Sequence, residues 1–376
     1  MSAAPSLTLV VDLDAARPEL EDGLSRAELL NEQHRYEEAL DALNDMAPIS
    51  SRLHDLSLRA LFAESWARMY LGELQLADAL LERARALAET PALGGLARAE
   101  ALFRLGACRL KLSRTAEAVA LLTLALELCE REGGPPGLRA HVLVWRARAY
   151  QLGRDWGAAR IDVERALELG EAAGEPRMVA QGYFQASLVA EREGQWLLAR
   201  FYAEQARALF EQLGDRLNVG RLTNNLGGLS FLVGEVDAAG PLLSQAYAIA
   251  REVGSDTEAG RALSSLAQVE LRTGEPLEAE RHARSALALL AGQPGAADEI
   301  GNAQLVLARA LLDQGRLDEA EASLDAAEAG FERLGSLGER VAVSVARGDL
   351  AAARGDAERA AAVYRAAAEA LQDFHF

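Results

Sequence analysis

The sequence predicts an all-α protein built as a solenoid of about nine helical hairpins, and three observations support this fold class. A turn-like glycine followed five residues later by alanine recurs along the 376 residues, as in GELQLA (72–77), GEVDAA (234–239) and GDAERA (355–360). A second alanine follows seven residues after most of these alanines, which places both on one face of a helix. Prolines such as Pro91 and Pro176 fall between the predicted repeats, where they interrupt no helix.

The alanine of this motif sets the register of the repeats. It recurs every 38 to 41 residues, at Ala39, Ala77, Ala118, Ala158, Ala199, Ala239, Ala279, Ala320 and Ala360. The second alanines are Ala84, Ala125, Ala206, Ala246, Ala286, Ala327 and Ala367. His34 and Ser113 replace the turn glycine in the first and third repeats. Each repeat is therefore predicted to contain a helix A, a tight turn, a helix B and a connection in which a glycine such as Gly174 or Gly214 ends helix B.

The repeats divide the chain into nine predicted units that follow an N-terminal segment, residues 1–17, which we expect to be flexible. The units are 18–54, 55–93, 94–135, 136–175, 176–215, 216–255, 256–296, 297–336 and 337–376. Because one hairpin cannot bury its apolar face alone, each unit is expected to be stabilised by its neighbours. At the C-terminus, Phe374 and Phe376 predict either a solvated tail or self-association through the chain end.

Composition and charge exclude several classes of function. The chain has 39 Lys and Arg residues against 57 Asp and Glu, a net charge of −18, which disfavours direct binding to nucleic acid. Arginine or glutamate interrupts every long apolar run, so no membrane span is predicted. With Cys108 and Cys129 as the two cysteines, no disulfide framework is possible, and a reducing cytoplasm is expected. A chain this rich in arginine and alanine is typical of a GC-rich bacterial genome.

Catalytic motifs are absent from the sequence. It contains no phosphate-binding G-x-x-x-x-G-K-[ST], no H-E-x-x-H and no G-x-S-x-G. The five histidines are spread along the chain, at most two in one predicted unit, whereas a zinc site needs three or four converging ligands. His282 is predicted to be an ordinary surface residue of a helix B. We therefore predict a protein that is not an enzyme and that holds no metal ion and no cofactor. An enzyme whose site is assembled across several A helices is the remaining alternative.

The segment LTNNLGGLSFLVGEVDAAGPLLSQAYAIA (222–250) resembles a tetratricopeptide repeat. The residues on the signature spacing are Leu226, Gly227, Gly234, Ala239 and Ala246. The unit of about 40 residues is longer than usual and is similar to the repeats of LGN/Pins scaffolds, Rap-type regulators and the sensor region of MalT-like activators. The resemblance covers residues 18–376, and it implies a right-handed α-solenoid whose A helices line a concave, ligand-binding groove.

The same resemblance implies which residues line the groove, namely those 13 and 9 positions before the turn glycine. The candidates for peptide binding, with Asn224 added as a neighbour, are Gln181, Gln185, Arg221, Asn224, Asn225, Arg261, Ser265 and Asn302. Carboxamides satisfy both the N–H and the C=O groups of an extended peptide. Arginine forks match carboxylates, so an acidic peptide or a free C-terminus is the expected partner. The alternative is that these are ordinary solvated helix residues.

Aromatic residues mark the A helices of repeats two to four: Phe62, Trp66, Phe103 and Trp145. They are either aromatic anchors for an amphipathic partner or packing residues of the core between repeats.

The sequence therefore predicts a non-enzymatic scaffold that binds a protein or peptide segment in the groove of its A helices. The alternative is a regulatory sensor of the Rap or MalT-like kind, whose superhelix responds to a peptide or a small molecule. Such proteins carry an additional effector region, and since the repeats begin near residue 18, we expect no helical bundle or DNA-binding domain in this chain.

Overall fold

The computed structural model describes residues 13–293, 296–334 and 337–372, and these form eighteen α-helices without a strand among them. The helices are α1 Leu13–Glu32, α2 Tyr36–Asn44, α3 His54–Tyr70, α4 Leu74–Ala88, α5 Gly94–Lys111, α6 Thr115–Arg131, α7 Pro136–Leu152, α8 Trp156–Ala173, α9 Pro176–Arg192, α10 Trp196–Gln212, α11 Arg216–Leu232, α12 Val236–Glu252, α13 Asp256–Thr273, α14 Pro276–Leu290, α15 Ala297–Asp313, α16 Leu317–Leu334, α17 Leu337–Ala353 and α18 Ala357–Gln372. The prediction of an all-α solenoid of helical hairpins is confirmed. Within the described part of the chain, no helix is both long and apolar enough to cross a membrane.

The chain divides into two compact units, Met1–Val189 and Ala190–Phe376. In the first unit, the hairpins α3–α4, α5–α6 and α7–α8 pack against one another in sequence. In the second, the same holds for α11–α12, α13–α14 and α15–α16, and α17–α18 follows. Each odd-numbered helix of these hairpins is a helix A and each even-numbered one a helix B, as the repeats predict.

The repeated alanines are the close-packing positions of the hairpins. Ala77, Ala118 and Ala239, like their partners seven residues later, are buried. Gly227 of α11 has the same role, because it faces the helix B of its hairpin, α12. A Cβ atom at this position would lie 2.7 Å from the side chain of Leu243. Small side chains at these positions therefore allow the two helices of a hairpin to approach closely.

The turns between helix A and helix B use a left-handed residue, as the motif predicts. Gly72 and Gly234 have φ values of 84° and 86°. The replacements His34 and Ser113 both have φ of 61°, so they take the same conformation without being glycine.

In the fourth repeat the predicted register is wrong by one residue. Gly153 has φ of −78°, and the left-handed residue is Arg154, with φ of 63°. The buried alanine is Ala159, not Ala158, and Ala166 follows it seven residues later. The prediction took the glycine as the turn residue. In the structure the burial of two alanines on one helix face fixes the register, and an arginine therefore takes the turn position.

The ends of the chain bear on two further predictions. Helix α1 begins at Leu13, five residues before the predicted start of the repeats at residue 18. Phe374 and Phe376, the predicted contact for self-association, lie outside the described residues.

Candidate functional site

Two neighbouring A helices of the second unit, α11 and α13, bring together three of the predicted groove residues. Asn224 and Asn225 on α11 and Ser265 on α13 line a cavity of about 260 Å³, which we call the asparagine pocket. Its lining residues are Glu191, Asn224, Asn225, Gly228, Leu229, Phe231, Leu232, Leu243, Ser265 and Gln268. The pocket therefore combines polar groups from α9, α11 and α13 with apolar side chains such as Leu229 and Phe231.

One polar atom of this pocket is buried without a partner. The Oδ1 atom of Asn224 is inaccessible to solvent and accepts no hydrogen bond from any residue that the structure describes. Buried polar groups in proteins are nearly always hydrogen-bonded, and an unpaired one lowers the stability of the fold. The carbonyl oxygen of Asn224 therefore lacks the hydrogen bond that a buried acceptor normally has.

Glu191, which the sequence analysis did not select, also lines the pocket. It lies at the end of α9, three residues before the turn glycine Gly194, at a position that the family resemblance does not mark. Burial raises the pKa of its carboxyl group, and the positive charge of Arg192 only partly opposes this rise. No spacing rule identifies such a residue, because its burial depends on helices that follow it in the chain.

The two predicted arginines do not line the pocket but bind acidic residues of the protein itself. Arg221 Nε donates to Glu258 Oε1 at 2.7 Å, and Arg261 pairs with the other oxygen of Glu258, also at 2.7 Å. Arg261 further pairs with Glu299, so the network joins α11, α13 and α15. Although burial opposes the shift, Arg221 and Arg261 hold the pKa of Glu258 below its ordinary value.

The remaining predicted groove residues lie elsewhere. Gln181 and Gln185 are on α9 in the first unit, where Gln185 is buried and its backbone carbonyl accepts a hydrogen bond of 3.5 Å from Gln151 Nε2. The side-chain oxygen of Gln185 is also buried without a partner in the described structure. Asn302 is half-buried on α15 and does not line the asparagine pocket.

The aromatic residues of the first unit are largely buried. Phe62, Phe103 and Trp145 are 6%, 5% and 4% exposed, and Trp66 is half-buried, with its ring centroid 6.1 Å from that of Trp145. The guanidinium of Arg104 lies 4.7 Å from the centroid of the Phe62 ring. This burial favours core packing between hairpins as their role.

Both cysteines and His282 lie in the described part of the chain and are shielded from solvent to different degrees. Cys108 and Cys129 are both buried as free thiols, and burial raises the pKa of Cys108 to about 11, so the nucleophilic thiolate is not formed at neutral pH. His282 is less exposed than predicted: its side chain is 14% exposed, and its Nδ1 atom lies 2.7 Å from Glu270 Oε1. With Glu278 these two residues offer potential metal ligands within 4.8 Å of one another, and the Arg281 guanidinium lies 2.8 Å from the second ring nitrogen of His282.

Comparison with known proteins agrees with this fold. Residues 218–291 match the tetratricopeptide repeat family model. No curated protein sequence matches the chain significantly.

Three solved structures show how far the likeness extends. A Rap protein complexed with competence and sporulation factor is 17% identical, with a TM-score of 0.70, and the match covers 95% of this chain and 98% of that one. Aspartyl phosphate phosphatase F from Bacillus subtilis is 13% identical, with a TM-score of 0.62 and coverage of 99% and 96%. The Rap conjugation gene regulator of the plasmid pLS20, in complex with the Phr* peptide, is 14% identical, with a TM-score of 0.59 and coverage of 85% and 96%.

The chain thus folds as a series of helical hairpins, and residues 218–291 of it match the tetratricopeptide repeat. Its fold is similar to that of Rap-type proteins, as the sequence resemblance implied. The match covers 98% of the Rap protein chain, so the likeness in fold extends over nearly the whole length of that protein.

Proposed function

We propose that this protein binds an extended peptide on the A helices of its second unit, with the asparagine pocket as the principal contact. The observation that carries the proposal is that Asn224, Asn225 and Ser265 line one cavity, in which the Oδ1 atom of Asn224 lacks a hydrogen-bond partner among the described residues. The complexes of similar Rap-type structures with competence and sporulation factor and with the Phr* peptide support it.

The acidic group of the pocket favours a ligand that donates hydrogen bonds. The Glu191 carboxylate only accepts them, whereas the carboxamides of Asn224 and Asn225 both accept and donate. A peptide amine, or the side chain of lysine or arginine, supplies N–H donors and a positive charge that offsets the cost of burying Glu191. Phe231 and Leu232 provide an apolar wall for the carbon chain of such a group. The overall charge of −18 also favours the approach of a cationic peptide.

The acidic peptide expected from the sequence depended on arginines that are free to bind carboxylates. Arg221 and Arg261 already pair with Glu258 and Glu299, so a ligand carboxylate would have to compete with two partly buried acids of the protein. We therefore propose a basic or amine-bearing peptide as the partner, and the acidic peptide becomes an outcome of the test.

A scaffold and a sensor both remain compatible with peptide binding, and one contact favours the sensor. The pocket lies between α11 and α13, and the ion pairs of Glu258 join the same two helices. A peptide that moves these helices apart would alter this network. Small-angle scattering with and without peptide separates the two: a change in the radius of gyration indicates a sensor, and an unchanged radius indicates a scaffold.

We further propose that the chain acts by binding and not by catalysis, in the bacterial cytoplasm, although one similar structure is named an aspartyl phosphate phosphatase. The two thiols in the described structure are buried and free, which suits a reducing compartment.

The experiment that tests peptide binding is a screen of a random hexapeptide library against the immobilised protein, followed by fluorescence anisotropy of the retained sequences. The screen compares the wild type with Asn225→Ala and with the control Gln212→Ala, a carboxamide at the exposed end of α10. We expect basic peptides with free amines to bind the wild type and the control equally, and Asn225→Ala to weaken binding at least tenfold. Retention of no peptide, or equal binding by all three proteins, would overturn the proposal. Retention of acidic peptides alone would contradict the proposal that the ligand is basic.

A further inference from the structure

The first hairpin differs from all others in the described chain by its short helix B. Helix α2 has nine residues, whereas the helices B of the following hairpins have 15 to 18. Residues 45–53 continue without helix, and among them Met46 and Ile49 turn back to pack near Leu24 and Leu56. The early end of α2 leaves the neighbouring surfaces of α3 and α4 uncovered.

The uncovered surfaces form a cleft of about 520 Å³ in the first unit, which we call the α2 cleft. Its apolar lining consists of Leu40, Leu43, Met46, Ala47, Pro48, Ile49, Ala60, Leu61 and Leu87. Its polar lining consists of Asn44, Ser51, Ser57, Glu64 and Arg83. Cavities that bind small molecules have this size and this composition, a mostly apolar surface with a few polar groups.

The charges of the cleft leave one cation available. The Glu64 carboxylate is bound by Arg68 Nε at 2.8 Å. Arg83, which is exposed on α4, makes no ion pair or hydrogen bond with the residues that the structure describes. The residues three and four positions from it along the helix are Leu80, Ala79, Ala86 and Leu87, so α4 offers it no acidic partner. In contrast, Arg85, two residues away, pairs with Glu82 at 2.9 Å.

We propose that the α2 cleft binds a small amphiphilic carboxylate, with its hydrocarbon chain on the apolar lining and its carboxylate on the Arg83 guanidinium. An arginine fork matches the two oxygens of a carboxylate, which a neutral head group such as an alcohol cannot reproduce. The volume accommodates a medium-length alkyl chain. This site is in the first unit and does not depend on the proposed peptide function.

The test uses isothermal titration calorimetry of the full-length protein with octanoate, decanoate and dodecanoate, each below the concentration at which it forms micelles. We expect one site per chain and an affinity that rises about two- to fourfold for each added methylene, because each buried methylene adds a fixed transfer free energy. Decanol, which lacks the charge, is expected to bind more weakly than decanoate by tenfold or more.

Two variants and a matched control localise the site. Arg83→Gln is expected to lower the affinity for decanoate at least tenfold and to leave the affinity for decanol unchanged. Arg85→Gln is expected to leave both affinities unchanged. Ala60→Phe, which fills the cleft, is expected to weaken both ligands. The circular dichroism spectrum and melting temperature of each variant show whether it is folded.

Either of two results would overturn the proposal: no saturable binding of any of the three carboxylates to the wild type, or an equal loss of decanoate affinity in Arg83→Gln and Arg85→Gln. Since Arg83 is exposed, its replacement keeps the test valid even if Ala60→Phe does not fold.

Discussion

The Nε atom of Arg221 lies 2.7 Å from the Oε1 atom of Glu258, which ties helix α11 to helix α13. The side chain of Glu258 is 8% exposed and also binds Arg261, which pairs with Glu299 as well. Two acidic residues of the protein thus balance the charges of two arginines that the family resemblance implies for ligand binding. A residue whose type suggests recognition is here part of the contact between repeats.

This arrangement predicts that Glu258 is a stability residue. Glu258→Gln leaves two guanidinium groups without their shared carboxylate, and we expect it to lower the free energy of unfolding by about 1–3 kcal/mol. Glu252→Gln is the control, because Glu252 pairs with Arg216 at the same 2.7 Å but on the surface. Urea unfolding measures both variants. Equal stability of Glu258→Gln and wild type would contradict the prediction.

Asn224→Leu separates binding from stability. Leucine has the same branched outline as asparagine, with larger methyl groups at its end, and it removes the buried oxygen that has no partner among the described residues. We therefore expect the free energy of unfolding to stay the same or to rise by about 1 kcal/mol. Affinity for peptides selected by the wild type should fall at least tenfold in anisotropy measurements. A variant that is destabilised and still binds would show that Asn224 has a structural role alone.

Peptide binding should depend on pH through Glu191. Burial raises the pKa of this carboxyl group, so it takes up a proton at a higher pH than an ordinary glutamate. A cationic peptide binds the carboxylate form, and its affinity is therefore expected to fall as the pH decreases through this raised pKa and to be greatest above it. Anisotropy titrations from pH 4 to 8 measure the profile, which Glu191→Gln should flatten.

The same shift predicts how Glu191 affects stability. A carboxyl group with a raised pKa in the folded state disfavours folding once the pH exceeds its pKa in the unfolded chain. Glu191→Gln is thus expected to raise the melting temperature at pH 7 and not at pH 4. A lower melting temperature at pH 7 would show that the carboxylate makes a stabilising contact.

The register of the fourth repeat is tested by two glycine replacements. Gly153 has φ of −78° and its nearest neighbour to a new Cβ is at 3.4 Å, so Gly153→Ala should be neutral or slightly stabilising. Gly234 has φ of 86°, and Gly234→Ala should destabilise by about 1 kcal/mol because alanine is strained there. Thermal unfolding of both variants gives the comparison. An equal loss of stability in the two variants would indicate that Gly153 is the turn residue after all.

Trp145 is expected to be a core residue. It is 4% exposed, and Trp145→Ala should destabilise the protein by about 3–5 kcal/mol through loss of burial and creation of a cavity. Trp196, 38% exposed at the start of α10, is the control, and its replacement by alanine should have a much smaller effect. Urea unfolding distinguishes the two. A stable Trp145→Ala variant that loses a ligand would instead support an anchoring role.

The sequence by itself determined the hairpins, their length of about 40 residues and most of their turns. These features are local: a left-handed residue and two alanines seven apart act within one hairpin, and even His34 and Ser113 could be placed without a glycine signal. Asn225 and Ser265, which the family resemblance implies from their distance to the turn, line one cavity because successive repeats have the same geometry.

Only the tertiary structure decided which of these side chains have partners within the protein. Glu258 is 37 positions from Arg221 and engages it through the packing of successive A helices. Glu191 meets Asn224 in a cavity because α9, α11 and α13 enclose it. Ala159 and Arg154 set their register through burial, not through turn preference. Local spacing encodes backbone conformation, whereas the charge state and accessibility of a side chain depend on partners that the fold brings from other repeats.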